Sequence, residues 1–180
     1  MRLQGRRIAL LIEDDYQEME AWYPTFRLRE EGATVVIVGS GRKSTYHSKL
    51  GYPMTADRAV DEVKADDFDA VVIPGGFAPD HMRLCRPMVD LVREAYESGK
   101  LVASICHGGW MLVSAGAVRG RRVTGYLPIR DDVVNAGGEW VDAEVVCDGN
   151  VITSRTPPDL PAFARKIVEY LERASVSSSV

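Results

Sequence analysis

The stretch LVASICHGGWML, residues 101–112, combines an apolar run, a turn of small residues and the beginning of a helix. Its first part, Leu101–Ile105, is apolar on almost every position, as in a strand buried on both faces of a parallel sheet. Similar runs lie upstream at 8–12, 35–38 and 70–73, and helix-like segments at about 17–31 and 87–98 alternate with them. This alternation predicts an α/β fold, a doubly wound, mostly parallel sheet sandwiched by helices and flavodoxin-like in its layers.

Beyond residue 116 the pattern changes. Residues 143–147 and 151–154 are rich in β-branched side chains and are joined by Asp148, Gly149 and Asn150, which predicts a short β-hairpin near the C-terminus. Residues 163–174 follow as a closing amphipathic helix. We expect a single domain over residues 1–174 and a disordered polar tail over residues 175–180.

Composition restricts the classes of partner. The 180 residues carry a net charge of −4, and the one dense basic run is short, so no nucleic-acid partner is expected. The apolar runs are too short to cross a membrane or to act as a signal, which predicts a cytoplasmic protein with no membrane partner. The three cysteines are an odd number without paired spacing, so we expect neither a disulfide framework nor a metal site.

Cys106 is the first candidate for chemistry. Ser104, Cys106 and Gly108 reproduce the small-x-nucleophile-x-Gly spacing of a nucleophile elbow, with serine in place of the first glycine. A helix that begins at Gly108 or Gly109 would place its positive end near the sulfur and favour the thiolate. Cys106 is therefore predicted to be a nucleophile.

A nucleophile of this kind needs a base. His107 follows Cys106 directly and is predicted to be that base, whereas His47 and His81 are interpreted as solvated loop residues. Cys85 lies in a charged helical context and Cys147 in a predicted strand, so both are interpreted as packing residues.

Two further groups follow predicted strands, where ligand sites of doubly wound sheets form. Gly75 and Gly76 follow the run 70–73 and, because they lack a Cβ atom, would let backbone N–H groups bind an oxyanion. The acidic residues after the first run are Glu13, Asp14, Asp15, Glu18 and Glu20. We expect one of them to exchange protons with Cys106, and the pattern does not decide between Glu18 and Glu20.

Taken together, the motifs resemble those of the PfpI intracellular protease family, in the ThiJ/PfpI superfamily of the class I glutamine amidotransferase-like fold. The resemblance covers about residues 7–171. It is carried by VIPGGFAPD at 72–80, SICHGGWML at 104–112, GRRVTGY at 120–126, DDVVNAGGEWVDAEVVCDGNVITSR at 131–155 and PPDLPAF at 157–163. As a set, these motifs are highly specific.

The resemblance implies roles for individual residues. Cys106 is implied as the nucleophile, His107 as its partner and Glu20 as the carboxyl that hydrogen-bonds the cysteine sulfur. Gly75 and Gly76 match the backbone oxyanion site, and we group Gly108 with them.

The resemblance also covers three positions around the site, two of which depart from the family pattern. Asp80 matches an acidic position that orients the histidine across a subunit interface, although members often have the longer glutamate there. Tyr126 matches a position near the pocket, and Gly109 stands where members commonly have proline. No histidine follows His107, so the triad of the glutamine amidotransferases is excluded.

The function expected from these residues is that of a stress-protective cysteine enzyme without metal or organic cofactor. It would act on reactive carbonyls, as a glyoxalase that hydrates methylglyoxal or as a deglycase of early glycation adducts. The alternatives are an oligomeric cysteine peptidase and a non-catalytic redox sensor that oxidises at Cys106. The resemblance also implies a homo-oligomer, a dimer or a larger assembly such as a hexamer. Aromatic residues around Trp22, Tyr23 and Phe26 would suit either an interface or a core face.

Overall fold

The computed structural model describes residues 1–177 as a central sheet with helices on both sides. The strands are β1 (Arg7–Ile12), β2 (Thr34–Gly39), β3 (Thr45–His47), β4 (Pro53–Thr55), β5 (Arg58–Ala59), β6 (Ala70–Ile73), β7 (Leu101–Ile105), β8 (Arg122–Val123), β9 (Glu139–Trp140), β10 (Val145–Asp148) and β11 (Val151–Ser154). The α-helices are α1 (Glu18–Glu30), α2 (Ala78–Arg83), α3 (Arg86–Glu97), α4 (Gly109–Ala115), α5 (Arg130–Asn135) and α6 (Leu160–Ser177).

The central sheet contains seven strands in the order β10-β11-β7-β6-β1-β2-β5. Neighbouring strands pair in parallel, except that β10 and β11 form the antiparallel hairpin predicted from the sequence. The pairs β3-β4 and β8-β9 lie outside this sheet. The predicted α/β, mostly parallel architecture is confirmed.

The direction of the chain explains why helices cover both faces. It moves from β1 to β2 in one direction along the sheet and from β6 to β7 in the other. Because crossovers between parallel strands are right-handed, α1 and α3 lie on opposite faces. Helix α6 packs beside α1, while α2 and α4 pack beside α3. The strand order reverses between β1 and β6, and their carboxyl ends border the crevice where ligands bind in such sheets.

The core confirms that the apolar runs are strands buried on both faces. Every residue of β6 and β7 is buried, as are residues 8–12 of β1. Ser104, the one polar residue within β7, is buried with them. A frame of this kind holds the ends of β6 and β7 rigidly, because side chains on both faces are close-packed.

Helix α1 presents a different face to the core from the one its aromatic residues suggest. Its buried residues are Glu20, Ala21, Pro24, Thr25 and Leu28. Tyr23 is 38% exposed and Phe26 is 59% exposed, so a core face does not explain these two rings, whereas Trp22 packs against the core. The helix instead turns a carboxyl group, Glu20, inward.

The C-terminal helix is longer than predicted at both ends. Helix α6 begins at Leu160, before the predicted start at 163, because a short 3₁₀ turn at Pro157–Asp159 leads directly into it. It ends at Ser177, so it overlaps the predicted tail of residues 175–180, and residues 178–180 of that tail lie outside the described residues. Within residues 1–177 no helix combines the length and apolarity that a membrane span requires.

Candidate active site

Cys106 lies directly after β7, at the edge of the sheet where the carboxyl ends of β6 and β7 lie side by side. Its backbone adopts a left-handed conformation with φ of 59°, which is rare for a residue with a side chain. A single 3₁₀ turn, Cys106–Gly108, then leads into α4 at Gly109. A Cβ atom on Gly108 would lie 2.7 Å from the carbonyl oxygen of Ile73, so this glycine lets the turn approach β6 closely. The elbow geometry predicted for this segment is therefore present.

Glu20 is the acidic residue that reaches this turn. It lies in the first turn of α1, where the Gln17 side chain caps the helix by accepting from the Glu20 N–H. The Glu20 side chain is fully buried, and its Oε2 accepts a hydrogen bond of 2.8 Å from the Gly75 N–H. Its Oε1 is buried and forms no hydrogen bond within residues 1–177, while the carboxyl interacts with the Cys106 thiol.

Burial controls the protonation of this pair. Loss of solvent raises the pKa of Glu20 to about 7, and the Gly75 N–H only partly opposes this shift. Burial, and then the negative charge of Glu20, raises the pKa of Cys106 to about 12. The expected effect of the helix end on the thiol is thus outweighed, because a buried anion loses more solvation than a helix terminus returns. The two groups are close enough to titrate as a coupled pair.

Backbone N–H groups surround the sulfur, but not in the predicted combination. The N–H groups of His107 and Gly76 interact with the Cys106 sulfur and oppose the rise of its pKa. Gly75 differs from the predicted oxyanion donor, because its N–H is already bonded to Glu20. A Cβ atom on Gly75 would lie 2.6 Å from Glu20 Oε2 and 2.7 Å from Cys106 Cβ, so Gly75 leaves space for the pair.

His107 is placed beside Cys106. Its Nδ1 lies 3.5 Å from Cys106 Sγ. Its ring is surrounded by Phe77, Trp110 and Tyr126, whose ring centroids lie 5.7, 4.9 and 4.8 Å away. Burial lowers the pKa of His107, so the ring is neutral at neutral pH and able to accept a proton.

Asp80 and Tyr126 differ in their relation to His107. Tyr126 lies against the His107 ring, and its N–H donates to the Cys106 carbonyl oxygen at 3.3 Å. Asp80 is exposed on α2 and forms no hydrogen bond with His107 within the described protomer. The carboxylate that a catalytic triad requires is thus not supplied by this part of the chain.

The remaining acidic residues have other partners. Glu13 pairs with Arg42 at 2.9 Å, Asp14 with Lys43 at 2.6 Å and Asp15 with His81 at 3.0 Å. Glu18 accepts a hydrogen bond of 2.9 Å from the Leu50 N–H. These contacts fix the loop after β1 and leave Glu20 as the carboxyl directed at the sulfur. His81 is therefore half-buried and bonded to Asp15, not a purely solvated residue.

The other cysteines lie outside the site. Cys85 is half-buried between α2 and α3. Cys147 is exposed on β10, so its interpretation as a buried packing residue is wrong, because β10 is the edge of the sheet. Within residues 1–177 no group of three or more metal-ligating side chains is assembled.

Sequence reasoning missed three residues that line the site. Phe77 and Trp110 contact His107, and the Lys49 ammonium lies 5.4 Å from the centroid of the Phe77 ring. Phe77 and Trp110 could have been found from their positions, since each lies within three residues of a predicted site residue. Lys49 had no such signal, because a loop far along the chain brings it in.

Comparison with known proteins places this geometry in a family. Residues 6–170 match the DJ-1/PfpI family. The deglycase PfpI of Pyrococcus furiosus is 46% identical over 166 residues, which cover 92% of this chain and 99% of that protein. The protein/nucleic acid deglycase 2 of Escherichia coli is 41% identical over 169 residues, covering 93% and 98%. The crystal structure of Drosophila melanogaster DJ-1beta matches with a TM-score of 0.88 at 30% identity, covering 94% of this chain and 91% of that one. The chain therefore belongs to the DJ-1/PfpI family.

Proposed function

We propose that this protein is a cysteine enzyme that acts on reactive carbonyls, as a deglycase of early glycation adducts and as a glyoxalase of free methylglyoxal. The observation that carries the proposal is the buried Glu20 carboxyl beside Cys106, whose pKa is raised to about 7. A carboxyl with this pKa exchanges protons readily at neutral pH. Relatives that are 41% and 46% identical are deglycases, which supports this choice of chemistry.

The first requirement is a thiolate. Because Cys106 and Glu20 share a buried site, loss of the first proton leaves one negative charge on the pair. Glu20 has the lower pKa and ionises first, and its carboxylate then takes the proton of Cys106 as the sulfur attacks. The sulfur carries the charge and receives the N–H groups of Gly76 and His107. This form contains a nucleophile and a proton donor at the same time.

With methylglyoxal, the Cys106 sulfur bonds to the aldehyde carbon, and the former carbonyl oxygen takes the proton of Glu20. Neutral His107 then removes the proton from that carbon to give an enediolate and returns it to the neighbouring carbon. The hydroxyl proton of the first carbon moves to the neighbouring oxygen, which leaves a thioester. Water breaks the carbon–sulfur bond and releases lactate. One carbon is oxidised and its neighbour reduced, so the net change is the addition of one water, and no cofactor is required.

With a glycation adduct, the first step is a substitution and not an addition. The carbon that carries the hydroxyl bonds to the sulfur, its bond to the amine or thiol breaks, and Glu20 supplies the proton with which that group leaves. The later steps are the same. The aromatic rings around His107 exclude water from one side of the reacting carbon, which lengthens the life of the covalent intermediate.

A peptidase remains the second candidate, because Asp80 is exposed on α2 and a neighbouring subunit could bring it to His107. This reading requires an oligomer of defined geometry, since His107 has three aromatic neighbours and no carboxylate bonded to it within the described protomer. The carbonyl chemistry requires only one subunit.

The test is a panel of three substrates: methylglyoxal, its hemithioacetal with a small thiol, and a fluorogenic peptide. We expect the parent protein to consume the first two, and Cys106→Ala and Glu20→Ala to lose most of that activity. Cleavage of the peptide alone would favour the peptidase. Stoichiometric oxidation of Cys106 by mild peroxide, without turnover of any substrate, would favour the redox sensor. A Cys106→Ala protein as active as the parent would exclude all three.

A further inference from the structure

Lys49 lies at the mouth of the site without a carboxylate partner. Its side chain is exposed, and within residues 1–177 its ammonium forms no ion pair. Other cations near this edge of the sheet are neutralised: Arg42 by Glu13 and Lys43 by Asp14. Lys49 acts electrostatically on Glu18 but, unlike these two cations, forms no ion pair within residues 1–177.

The backbone that carries Lys49 is held firmly. The Lys49 N–H donates to the Tyr16 carbonyl oxygen at 3.0 Å, and the next N–H, that of Leu50, donates to Glu18 Oε1 at 2.9 Å. The Ser48 side chain accepts from the N–H groups of Leu50 and Tyr52 at 3.2 and 2.8 Å. A turn with this many bonds does not need to be ordered when a ligand binds, which reduces the entropic cost of recognition.

A continuous series of contacts joins Lys49 to the nucleophile. Its ammonium lies 5.4 Å from the Phe77 ring centroid, and that ring lies 5.7 Å from the His107 ring. His107 Nδ1 lies 3.5 Å from Cys106 Sγ. The positive charge also lowers the pKa values of Glu20 and His107, although burial has the larger effect on each. Lys49 thus acts on the same space that a substrate must enter.

We propose that Lys49 is a specificity-determining residue that selects carbonyl substrates bearing an anionic group, a carboxylate or a phosphate, at the end remote from the reacting carbon. The exposed face of Phe77 would contact the segment between the two groups. Glu18 on α1 accepts a hydrogen bond from the Leu50 N–H and acts on Lys49 only electrostatically, so the ammonium can still bind a ligand directly. The substrate class rests on the proposed function, but the charge selection at Cys106 does not.

Charge selection can be measured without turnover. Iodoacetate and iodoacetamide are similar in size and react identically, in that the sulfur displaces iodide and a carbon–sulfur bond replaces a carbon–iodine bond. They differ in charge. Peptide mass mapping gives the rate of alkylation at Cys106 alone for each reagent. The ratio of the two rate constants then reports how far the site favours an anion.

We expect Lys49→Gln to lower the ratio for iodoacetate over iodoacetamide about fivefold, Lys49→Glu to lower it further and Lys49→Arg to retain it. The matched control is Lys64→Gln, which removes one exposed positive charge at the amino end of β6 and should keep the parental ratio. An unchanged ratio in both Lys49→Gln and Lys49→Glu, or an equal fall in Lys64→Gln, would overturn the proposal. Added salt should reduce the parental preference.

The source of the anion is then distinguished by turnover. One pair of substrates comprises methylglyoxal adducts of N-acetylcysteine and of its neutral amide, and a second pair comprises adducts of deoxyguanosine monophosphate and of deoxyguanosine. For Lys49→Gln we expect the preference for the anionic member, measured as kcat/KM, to fall through a higher KM in at least one pair. If the preference for the anionic member changes in neither pair, the proposed substrate class is wrong. If no adduct is consumed by the parent protein, the proposed function fails, and the alkylation ratio still decides the role of Lys49.

Discussion

The turn after β7 and the edge strand β10 each carry a free cysteine, and their surroundings are opposite. Cys106 is 8% exposed, in a left-handed turn beside a buried carboxyl. Cys147 is exposed on a regular strand, opposite Ile152 in the hairpin. Loss of solvent raises the pKa of both thiols, so a raised pKa alone does not separate them. What distinguishes Cys106 is a neighbouring group that can take its proton.

The largest expected effect tests this comparison directly. Cys106→Ala should lower the rate of hemithioacetal consumption about a thousandfold or more, because the covalent step is lost. Cys147→Ala, the matched control in the same sheet, should stay within about twofold of the parent. Initial rates at equal protein concentration measure both. Comparable losses in the two variants would mean that the turn after β7 has no special chemistry.

The second prediction tests whether Glu20 accepts the proton of Cys106. Glu20→Gln should lower kcat/KM about a hundredfold, because no carboxylate remains to accept the proton of Cys106. In the parent, kcat/KM should rise with pH through about 7, where the pair loses its first proton. In the variant the rise should move above 9.0, the ordinary value for a thiol, because burial remains. A pH profile with the same midpoint in both proteins would contradict the coupled pair.

A third effect compares the glycines of the two regions. A methyl group on Gly75 would contact Glu20 Oε2 and Cys106 Cβ, so Gly75→Ala should cost about 2 kcal/mol of stability and lower activity more than tenfold. Gly149, in the hairpin beside Cys147, has a φ of 58° and would meet only the flexible end of Arg121. Gly149→Ala should cost about 1 kcal/mol and leave activity unchanged. Urea unfolding and initial rates separate the two variants.

The smallest effect concerns stability. Glu20 keeps its proton up to about pH 7 in the folded protein but loses it near 4.5 when unfolded. The folded state therefore binds more protons in this interval, so the free energy of unfolding falls as pH rises, by about 1.4 kcal/mol between about pH 6 and pH 8. Glu20→Gln should flatten this slope, whereas Cys147→Ser should retain it. An equal slope in Glu20→Gln would assign the dependence to other groups.

The sequence predicted the sheet well because runs buried on both faces leave a clear apolar signature, as in β6 and β7. It did not decide between Glu18 and Glu20, since residues two apart on a helix point to different sides and the rotation of α1 depends on packing. It did not predict that the N–H of Gly75 bonds Glu20, because a hydrogen bond to a residue 55 positions away leaves no local signal. Lys49 was missed for the same reason.

The left-handed backbone of Cys106 has a consequence for the choice of residue at this position. A side chain in this conformation costs about 1 kcal/mol relative to glycine, and the buried carboxyl beside it adds a further penalty. Only glycine would relieve the first cost, because any other side chain would adopt the same strained conformation. Folding alone therefore favours glycine at this position, and the backbone conformation does not explain why a cysteine occupies it.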